Sequence, residues 1–130
     1  MPTFVIASAV VKNKDHFLIG KRARGKKFAP GKWEFISGFP EERESLEDTI
    51  LRELKEETGL KGKLIRSADP YVISDKEGRW IIIPFLIEVS SDKVFLNTKD
   101  HDELRWVSRE ELEAYKDISD LAHMKEQGFV

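Results

Sequence analysis

The sequence predicts a mixed α/β (α+β) domain, because predicted strands and helices alternate along its 130 residues. Two runs dense in Val, Ile and Phe, at residues 3–11 and 79–89, are typical of buried strands. Between them, residues 46–58 carry a helical pattern with capping residues at both ends. A chain of this length can bury a core of its own, so we interpret residues 1–130 as a single domain.

The segment before this helix is predicted to supply three strands. Residues 3–11 form the first strand, a turn follows at residues 13–15, and residues 16–21 return as the second strand of a hairpin. A loop that contains Gly and Pro, residues 25–31, leads to a short strand at residues 33–36. Part of the sheet therefore precedes the first helix in the chain.

The first helix has clear boundaries in the sequence. Ser45 is a suitable N-cap, and Asp48 stands three residues further on as an approximate capping-box partner. Gly59 is a natural residue just past the C-terminus of a helix. We therefore predict a helix over residues 46–58.

The second half of the chain is predicted to complete the sheet and add two short helices. Residues 79–89 are the strongest strand, and Pro84 within it predicts an edge strand or a bulge. A capping box formed by Ser108 and Glu111 opens a helix. That helix ends near residue 116, and a last helix spans residues 119–127. The other predicted elements are an irregular strand at 62–74 interrupted at Asp69-Pro70, a polar loop at 90–102 and a short strand at 104–107.

The composition excludes several classes of protein. A net charge of −2 argues against a nonspecific nucleic-acid binder, so no stable nucleic-acid binding is expected. The chain has no cysteine, which excludes disulfides, thiolate metal sites and a catalytic thiol. The longest apolar stretch, residues 80–87, is too short to span a bilayer, and residues 1–11 lack the pattern of a signal peptide. We therefore expect a cytoplasmic protein without a membrane partner.

Three glutamates lie where an isolated helix would least tolerate them. Glu53, Glu56 and Glu57 fall at i, i+3 and i+4, on one face of the last two turns. Like charges at this spacing repel each other, and carboxylates near a helix C-terminus oppose the helix dipole. A divalent cation reverses both effects, and Mg²⁺ prefers oxygen ligands and bridges to substrate phosphates. The cluster therefore predicts a metal site for phosphate chemistry.

The alternative is a solvated helix face, which is what most runs of glutamate form. Two features favour the metal site. A neighbouring arc of the helix is apolar and fixes the helix to a core, so that the acids face sideways into a possible cleft; its residues are Ile50, Leu51 and Leu54. Arg52 lies four residues before Glu56, so it can brace a metal ligand.

The spacing of these residues also matches a known motif. Gly38 is followed after five residues by Glu44, and after seven more by the run RELKEETGL at residues 52–60. The pattern fits the Nudix box at every fixed position, with the box at residues 38–60. The chain resembles a Nudix hydrolase of the MutT-like kind over its whole length. The resemblance implies an α/β/α sandwich around a mixed sheet, in which the box forms a loop–helix–loop.

The resemblance implies a pyrophosphohydrolase that cleaves a diphosphate bond with Mg²⁺ or Mn²⁺ as cofactor. Glu53, Glu56 and Glu57 would bind the metal, together with the backbone carbonyl of Ser37 just before the box. Glu53 is our first choice for the group that deprotonates the attacking water, with the alternative that it only binds metal. We expect Glu57 to be equally important for turnover.

Other residues are expected to support these acids. Glu44 and Arg52 would hold the loop and the ligands in place. Gly38 would open the box, on the substrate side, at a tight turn where a side chain would intrude. Ser37 departs from the family's usual glycine, which puts the backbone geometry there in question. Residues 39–43 also depart from the usual run, which ends in glycine, and this alters the loop rather than the ligand set.

Two residues before the box are candidates for substrate binding. Arg22 follows the second strand and could reach substrate phosphates, with solvated surface charge as the alternative. Phe35 could stack on a base, with burial in the sheet as the alternative.

A further carboxylate is expected from the loop before Trp106. Asp100, Asp102 and Glu103 crowd this segment, and one of them, with Asp100 and Glu103 the named candidates, could complete the metal site. His101 stands among them and is expected to be a polar surface residue.

The leading hypothesis is hydrolysis of a nucleoside triphosphate or another nucleotide derivative, including oxidised or noncanonical nucleotides. A catalytically silent Nudix-like nucleotide-binding or regulatory domain is the main alternative, although such domains usually lose the acids that this chain retains. Removal of pyrophosphate from RNA ends is disfavoured by the lack of a broad basic face. An ADP-ribose hydrolase is also less favoured. The partner is then a nucleotide-type small molecule, and the protein is expected to be a monomer or a homodimer.

Overall fold

The computed structural model describes residues 1–130, which form eight strands and three helices. All the strands join one mixed sheet, as the sequence predicts. The elements are β1 (Thr3–Asn13), β2 (His16–Arg22), β3 (Trp33–Glu34), β4 (Ile36–Gly38), α1 (Leu46–Thr58), β5 (Lys63–Ser67), β6 (Tyr71–Ser74), β7 (Arg79–Glu88), β8 (His101–Ser108), α2 (Arg109–Leu112) and α3 (Leu121–Glu126).

The sheet is built around the long strands β1 and β7. They pair in parallel from Thr3 opposite Arg79 to Lys12 opposite Glu88. All the other strand pairs are antiparallel: β2 pairs with β1, β3 and β8, β4 pairs with β1, and both β5 and β6 pair with β7. A sheet with both kinds of pairing is the mixed sheet that the resemblance implies.

Helices cover both faces of this sheet. Successive side chains of β1 point to opposite faces, so β1 contributes to a core on each side. Ala9 and Val11 face the core beneath α1, which also contains Ile50 and Leu54. Val10 faces the opposite core, which the C-terminal segment covers with residues that include Leu112, Ile118, Met124 and Phe129. The predicted α/β/α sandwich is confirmed.

The first helix has the predicted boundaries. The Ser45 side chain accepts a hydrogen bond from the backbone N–H of Asp48 at 3.1 Å. Gly59 adopts a left-handed conformation with φ of 78°, and its N–H donates to the carbonyl of Lys55. None of the three helices combines the length and the apolar composition that a membrane crossing requires.

Three predictions about the second half of the chain need correction. Pro84 was predicted to mark an edge strand or a bulge, but β7 lies in the middle of the sheet, and the irregular pairing falls in its neighbour β5, between Leu64 and Arg66. Pro84 is tolerated because the neighbouring strand is broken between β5 and β6, where the carbonyl of Pro84 accepts from Ala68 and no donor is needed. The last strand begins at His101 rather than at residue 104, and both C-terminal helices are shorter than predicted.

Candidate active site

The last two turns of α1 lie against β4, and one glycine permits the close approach. A Cβ on Gly38 would clash with the side chain of Glu53. Gly38 does not adopt a positive φ. The prediction that Gly38 lies at a tight turn is therefore wrong, and close packing against Glu53 is the reason for glycine here.

Arg52 holds the solvent-facing acids of the box. Its Nε lies 2.7 Å from Glu44 Oε2, and its Nη1 lies 2.9 Å from Glu53 Oε1 and 3.2 Å from Glu56 Oε2. Glu44 also accepts a hydrogen bond from the Thr49 hydroxyl at 2.8 Å. Hydrogen bonding to Arg52, and then to the backbone of the loop, lowers the pKa of Glu44 to about 2. We call Glu44, Arg52 and Glu56 the outer cluster; every charge in it has a partner.

Glu57 has the opposite environment. It is only 4% exposed, and its Oε2 has no hydrogen-bond partner. Burial raises its pKa, and the neighbouring carboxylates of Glu53, Glu34 and Asp100 raise it further. Each of these neighbours is paired with a lysine or an arginine, and Glu57 is not. A hard divalent ion such as Mg²⁺ or Mn²⁺ beside Glu57 would bind its oxygen and remove the remaining repulsion.

Two residues beside Glu57 were not predicted as site residues. His101 is completely buried, with its Nε2 2.9 Å from Glu34 Oε2 and its Nδ1 3.6 Å from Glu57 Oε1. Ligand atoms of these three residues lie within 4.8 Å of one another, and a metal ion could be held among them. We call Glu34, His101 and Glu57 the inner cluster.

The prediction that His101 is a surface residue is wrong, because β8 starts at this residue and pairs it with Arg22. Glu34 offered a clearer indication in the sequence. An acid between two aromatic residues in a strand directly before the box is expensive to bury without a partner.

Arg22 lies at the mouth of the cleft and is anchored on two sides. Its Nη1 is 3.1 Å from Glu34 Oε1, and its Nε donates to the carbonyl of Phe28 at 2.8 Å. Its side chain is 21% exposed and lines the same cleft as Glu53, Glu57 and Asp100. Arg22 therefore faces the acids of the box rather than open solvent.

The three acids before Trp106 lie in different places. Asp100 lines the cleft beside Glu57 and forms an ion pair with Lys26 at 3.1 Å. Glu103 pairs instead with Arg105 at 2.8 Å, and Asp102 is exposed. The structure therefore brings Asp100 to the box acids and leaves Glu103 outside the cleft.

The two departures from the usual box pattern have different consequences. Ser37 lies inside β4, opposite Ser8 of β1, and its φ is not positive. A serine is therefore compatible with the backbone there. Arg43 adopts a φ of 65°, a conformation that favours glycine. The strain expected at Ser37 thus lies at Arg43.

A second cavity of about 460 Å³ adjoins the acidic cleft and shares Arg22, Glu34 and Ser37 with it. Its walls include Phe28 and Trp80, whose rings meet edge to face. At one end, Ser8 donates a hydrogen bond to Asp120 at 2.7 Å, and burial raises the pKa of Asp120. Polar groups at one end of a largely apolar cavity are typical of a small-molecule site.

Phe35, a candidate for base stacking, is 1% exposed and belongs to the core beneath the C-terminal helices. A stacking residue must present a ring face to its ligand. The alternative stated from the sequence, burial in the sheet, describes Phe35. The half-buried Phe28 and Trp80 offer ring surface in its place.

This fold, with box acids beside a cavity of nucleotide size, defines the protein as a hydrolase that acts on nucleotide phosphoanhydride bonds. A model of the NUDIX domain matches residues 2–127. The chain therefore belongs to the NUDIX family.

Curated relatives agree with this assignment. The nucleoside triphosphatase NudI of Klebsiella pneumoniae (strain 342) is 30% identical over 120 residues, and the match covers 85% of each chain. An RNA pyrophosphohydrolase of Teredinibacter turnerae is 32% identical over 96 residues, which cover 58% of this chain and 56% of that protein.

Solved structures share the fold. The MutT protein of Methanosarcina mazei Go1 aligns with a TM-score of 0.83 and 27% identity, over 98% of this chain and 93% of that one. The NUDIX domain of Shewanella oneidensis NrtR, solved with ADP ribose, aligns with a TM-score of 0.79 and 19% identity, over 98% and 87%. The second likeness concerns the fold alone.

Proposed function

We propose that the protein is a Mg²⁺- or Mn²⁺-dependent pyrophosphohydrolase that cleaves a diphosphate bond in a nucleoside triphosphate or another nucleotide derivative. One observation carries the proposal: Glu57 is buried among three other carboxylates, and no lysine or arginine pairs with it. Polyanionic phosphates need their charge neutralised before a nucleophile can approach, and a divalent ion supplies this when it is bound.

The ligands of that ion would come from α1 and β4. Glu53, Glu56 and Glu57, with the Ser37 carbonyl, form the proposed set, and Asp100 is the further acid nearest to them. Glu56 is 53% exposed and paired with Arg52, so it would turn inward to join the other ligands. Because Arg52 bridges Glu44, Glu53 and Glu56, it would keep the ligands in place without binding the ion itself.

Glu53 is the residue that we propose as the acceptor of the proton from the attacking water. Its side chain packs on Gly38 and accepts from Arg52 at 2.9 Å, which fixes the carboxylate at the cleft. A general base must be held within hydrogen-bond distance of the water that it activates. The alternative is that Glu53 only binds the metal.

The substrate would extend from the acidic cleft into the adjoining cavity. Its phosphates would meet the ion and Arg22, because a guanidinium can pair with two phosphate oxygens. Its base would enter the cavity that Phe28, Trp80 and Asp120 line. A volume of about 460 Å³ lies in the usual range for small-ligand pockets.

The activity can be tested with a panel of nucleotides. Canonical and oxidised nucleoside triphosphates, ADP-ribose, nucleotide sugars and a triphosphorylated RNA would each be incubated with the protein and Mg²⁺ or Mn²⁺. We expect nucleoside monophosphate and pyrophosphate from at least one triphosphate, with little product from the RNA. Tight nucleotide binding without any product would contradict the proposal and favour a silent binding domain. The cytoplasm, and a monomer or homodimer, remain expectations.

A further inference from the structure

A histidine lies between two carboxylates at the back of the acidic cleft, and the mechanism described above does not use it. Nε2 of His101 is 2.9 Å from Glu34, and Nδ1 faces Glu57 Oε1 at 3.6 Å. Each carboxylate thus lies at a different nitrogen of the same ring. Such a ring can transmit the position of one acid to the other.

Close packing fixes the position of the His101 ring. His101 is completely buried, and Gly20 of β2 lies so close that a Cβ there would clash with the imidazole. Nδ1 has no hydrogen-bond partner in the structure, and neither does Oε2 of Glu57. Buried polar atoms in native proteins are nearly always paired. A small movement of Glu57 Oε1 toward Nδ1 would complete that pair.

The two oxygens of Glu57 then have separate tasks. Oε1 faces His101, and Oε2 is free and buried in the cleft where the acids converge. Carboxylates that bind metals are commonly held by a further hydrogen bond, which orients them toward the ion. His101 is placed to supply this bond on the side away from the cleft.

The other side of the ring leads to the substrate. Glu34 Oε2 lies 2.9 Å from His101 Nε2, and Glu34 Oε1 is held by Arg22 Nη1 at 3.1 Å. A series of polar contacts therefore runs from Arg22 through Glu34 and His101 to Glu57, and its last contact, at 3.6 Å, is longer than a hydrogen bond. A phosphate that engages Arg22 would act on the same network that orients Glu57.

We propose that His101 is a positioning residue, which donates through Nδ1 to Glu57 and so aims it at the metal, while its Nε2 donates to Glu34. Donation from both nitrogens requires the imidazolium form of the ring. The proposal rests on the metal dependence given under Proposed function. It assigns no proton transfer to His101 and no direct bond to the metal.

Three substitutions separate the two nitrogens. His101→Asn keeps a polar group near the position of Nδ1, His101→Gln keeps one near Nε2, and His101→Leu keeps neither. Binding of MnCl₂ alone would be measured by EPR, because free Mn²⁺ gives a strong signal that is lost on binding. Loss of a partner that orients a metal ligand commonly weakens metal binding by about 10–100-fold. We expect this loss for Gln and Leu, and a much smaller loss for Asn.

Activity gives a second measurement. In the Gln variant we expect kcat at low Mn²⁺ to fall and to recover as Mn²⁺ is raised, while KM for the nucleotide stays close to the wild-type value. Gly20→Ala provides an independent route, since it displaces the ring without removing any polar group, and it should weaken Mn²⁺ binding in the same way. His16→Asn, at an exposed histidine in the β1–β2 hairpin, is the matched control and should bind Mn²⁺ as the wild type does.

The outcomes distinguish this proposal from the one on which it rests. If wild-type protein and Glu57→Gln both fail to bind Mn²⁺, the metal dependence itself is wrong. If Glu57→Gln loses Mn²⁺ but His101→Gln and His101→Leu bind normally, only the role of His101 is wrong. Equal loss in the Asn and Gln variants, at unchanged melting temperature, would also overturn it, because action through Nδ1 requires Asn to be the milder change.

Discussion

The outer and inner clusters each take one acid from the same helix, Glu56 and Glu57, yet they differ in how their charges are satisfied. In the outer cluster, Arg52 meets Glu44 and Glu56 with hydrogen bonds of 2.7–3.2 Å, and the pKa of Glu44 falls to about 2. In the inner cluster, Glu57 lies beside other carboxylates, and burial raises its pKa to about 10. Glu44 and Glu57, which are thirteen residues apart, thus have pKa values shifted in opposite directions.

This difference shows which acids can accept a ligand. Every charge of the outer cluster has a partner within the protein. In the inner cluster, Oε2 of Glu57 has none, so a proton or a cation beside it would relieve the repulsion from the neighbouring carboxylates. Strongly perturbed carboxylates in a cleft are characteristic of functional sites. We therefore propose that Glu57 binds the ion and that Glu44 and Arg52 support it, while Glu56 would leave its contact with Arg52 to join the ligands.

The largest expected effect comes from removing the charge of the acids that face the cleft. Glu53→Gln and Glu57→Gln should each lower kcat by about 100-fold or more, because both act in the transition state through the metal and the water. Glu47→Gln, at an exposed acid in the first turn of α1, is the matched control and should retain full turnover. Pyrophosphate release under saturating Mg²⁺ and nucleotide measures the effect.

Circular dichroism must show that each variant is folded. Wild-type turnover in both Glu53→Gln and Glu57→Gln would contradict the role of these two acids in binding the metal and activating the water.

Local features of the sequence were enough to predict helix α1 and the place of the box acids on it. Ser45 and Gly59 delimit α1 by caps that act over three or four residues, and the helix has the predicted bounds. The spacing of the box placed its acids on that helix. Family resemblance then supplied the sandwich, because loop–helix–loop and mixed sheet come together in this family.

The inner cluster depended on contacts that the local sequence does not encode. His101 is buried because β8 pairs it with Arg22 and because Gly20, far away in the sequence, leaves room for its ring. Pro84 was misplaced for a related reason. Its tolerance in the middle of the sheet comes from a break in the neighbouring strand, and only the pairing of β5 and β6 with β7 reveals it.

A smaller effect concerns the metal-free protein, whose stability should fall as pH rises. The pKa of Glu57 is raised from 4.5 to about 10, so the folded state binds more protons than the unfolded state between these values. One such group lowers the free energy of unfolding by at most about 1.4 kcal/mol per pH unit in this window. Melting temperatures in EDTA from pH 5 to pH 9 would measure the slope.

Glu57→Gln should flatten part of that slope, and buried Asp120 should maintain the rest, since burial raises its pKa too. In wild-type protein Mg²⁺ should replace the proton and restore stability at high pH, by about 2.7 kcal/mol when its concentration is 100 times Kd. A melting temperature that is independent of pH and of Mg²⁺ would show that Glu57 causes no strain in the folded state.

The smallest expected effect concerns the backbone of the loop that carries Glu44. Arg43 lies in the loop that carries Glu44, forms no ion pair, and adopts a left-handed φ of 65° where the family pattern has glycine. A left-handed conformation costs a residue with a Cβ about 1–2 kcal/mol in the folded state, and glycine removes this cost. Glycine also raises the entropy of the unfolded chain, which lowers the stability by about 0.5–1 kcal/mol. Arg43→Gly should therefore raise the free energy of unfolding by about 0.5–1 kcal/mol, as measured by urea denaturation. Arg43→Ala removes the same charge but keeps the Cβ, so it should bring no gain. An equal gain in the free energy of unfolding from both variants would mean that the charge of Arg43, and not backbone strain, lowers the stability.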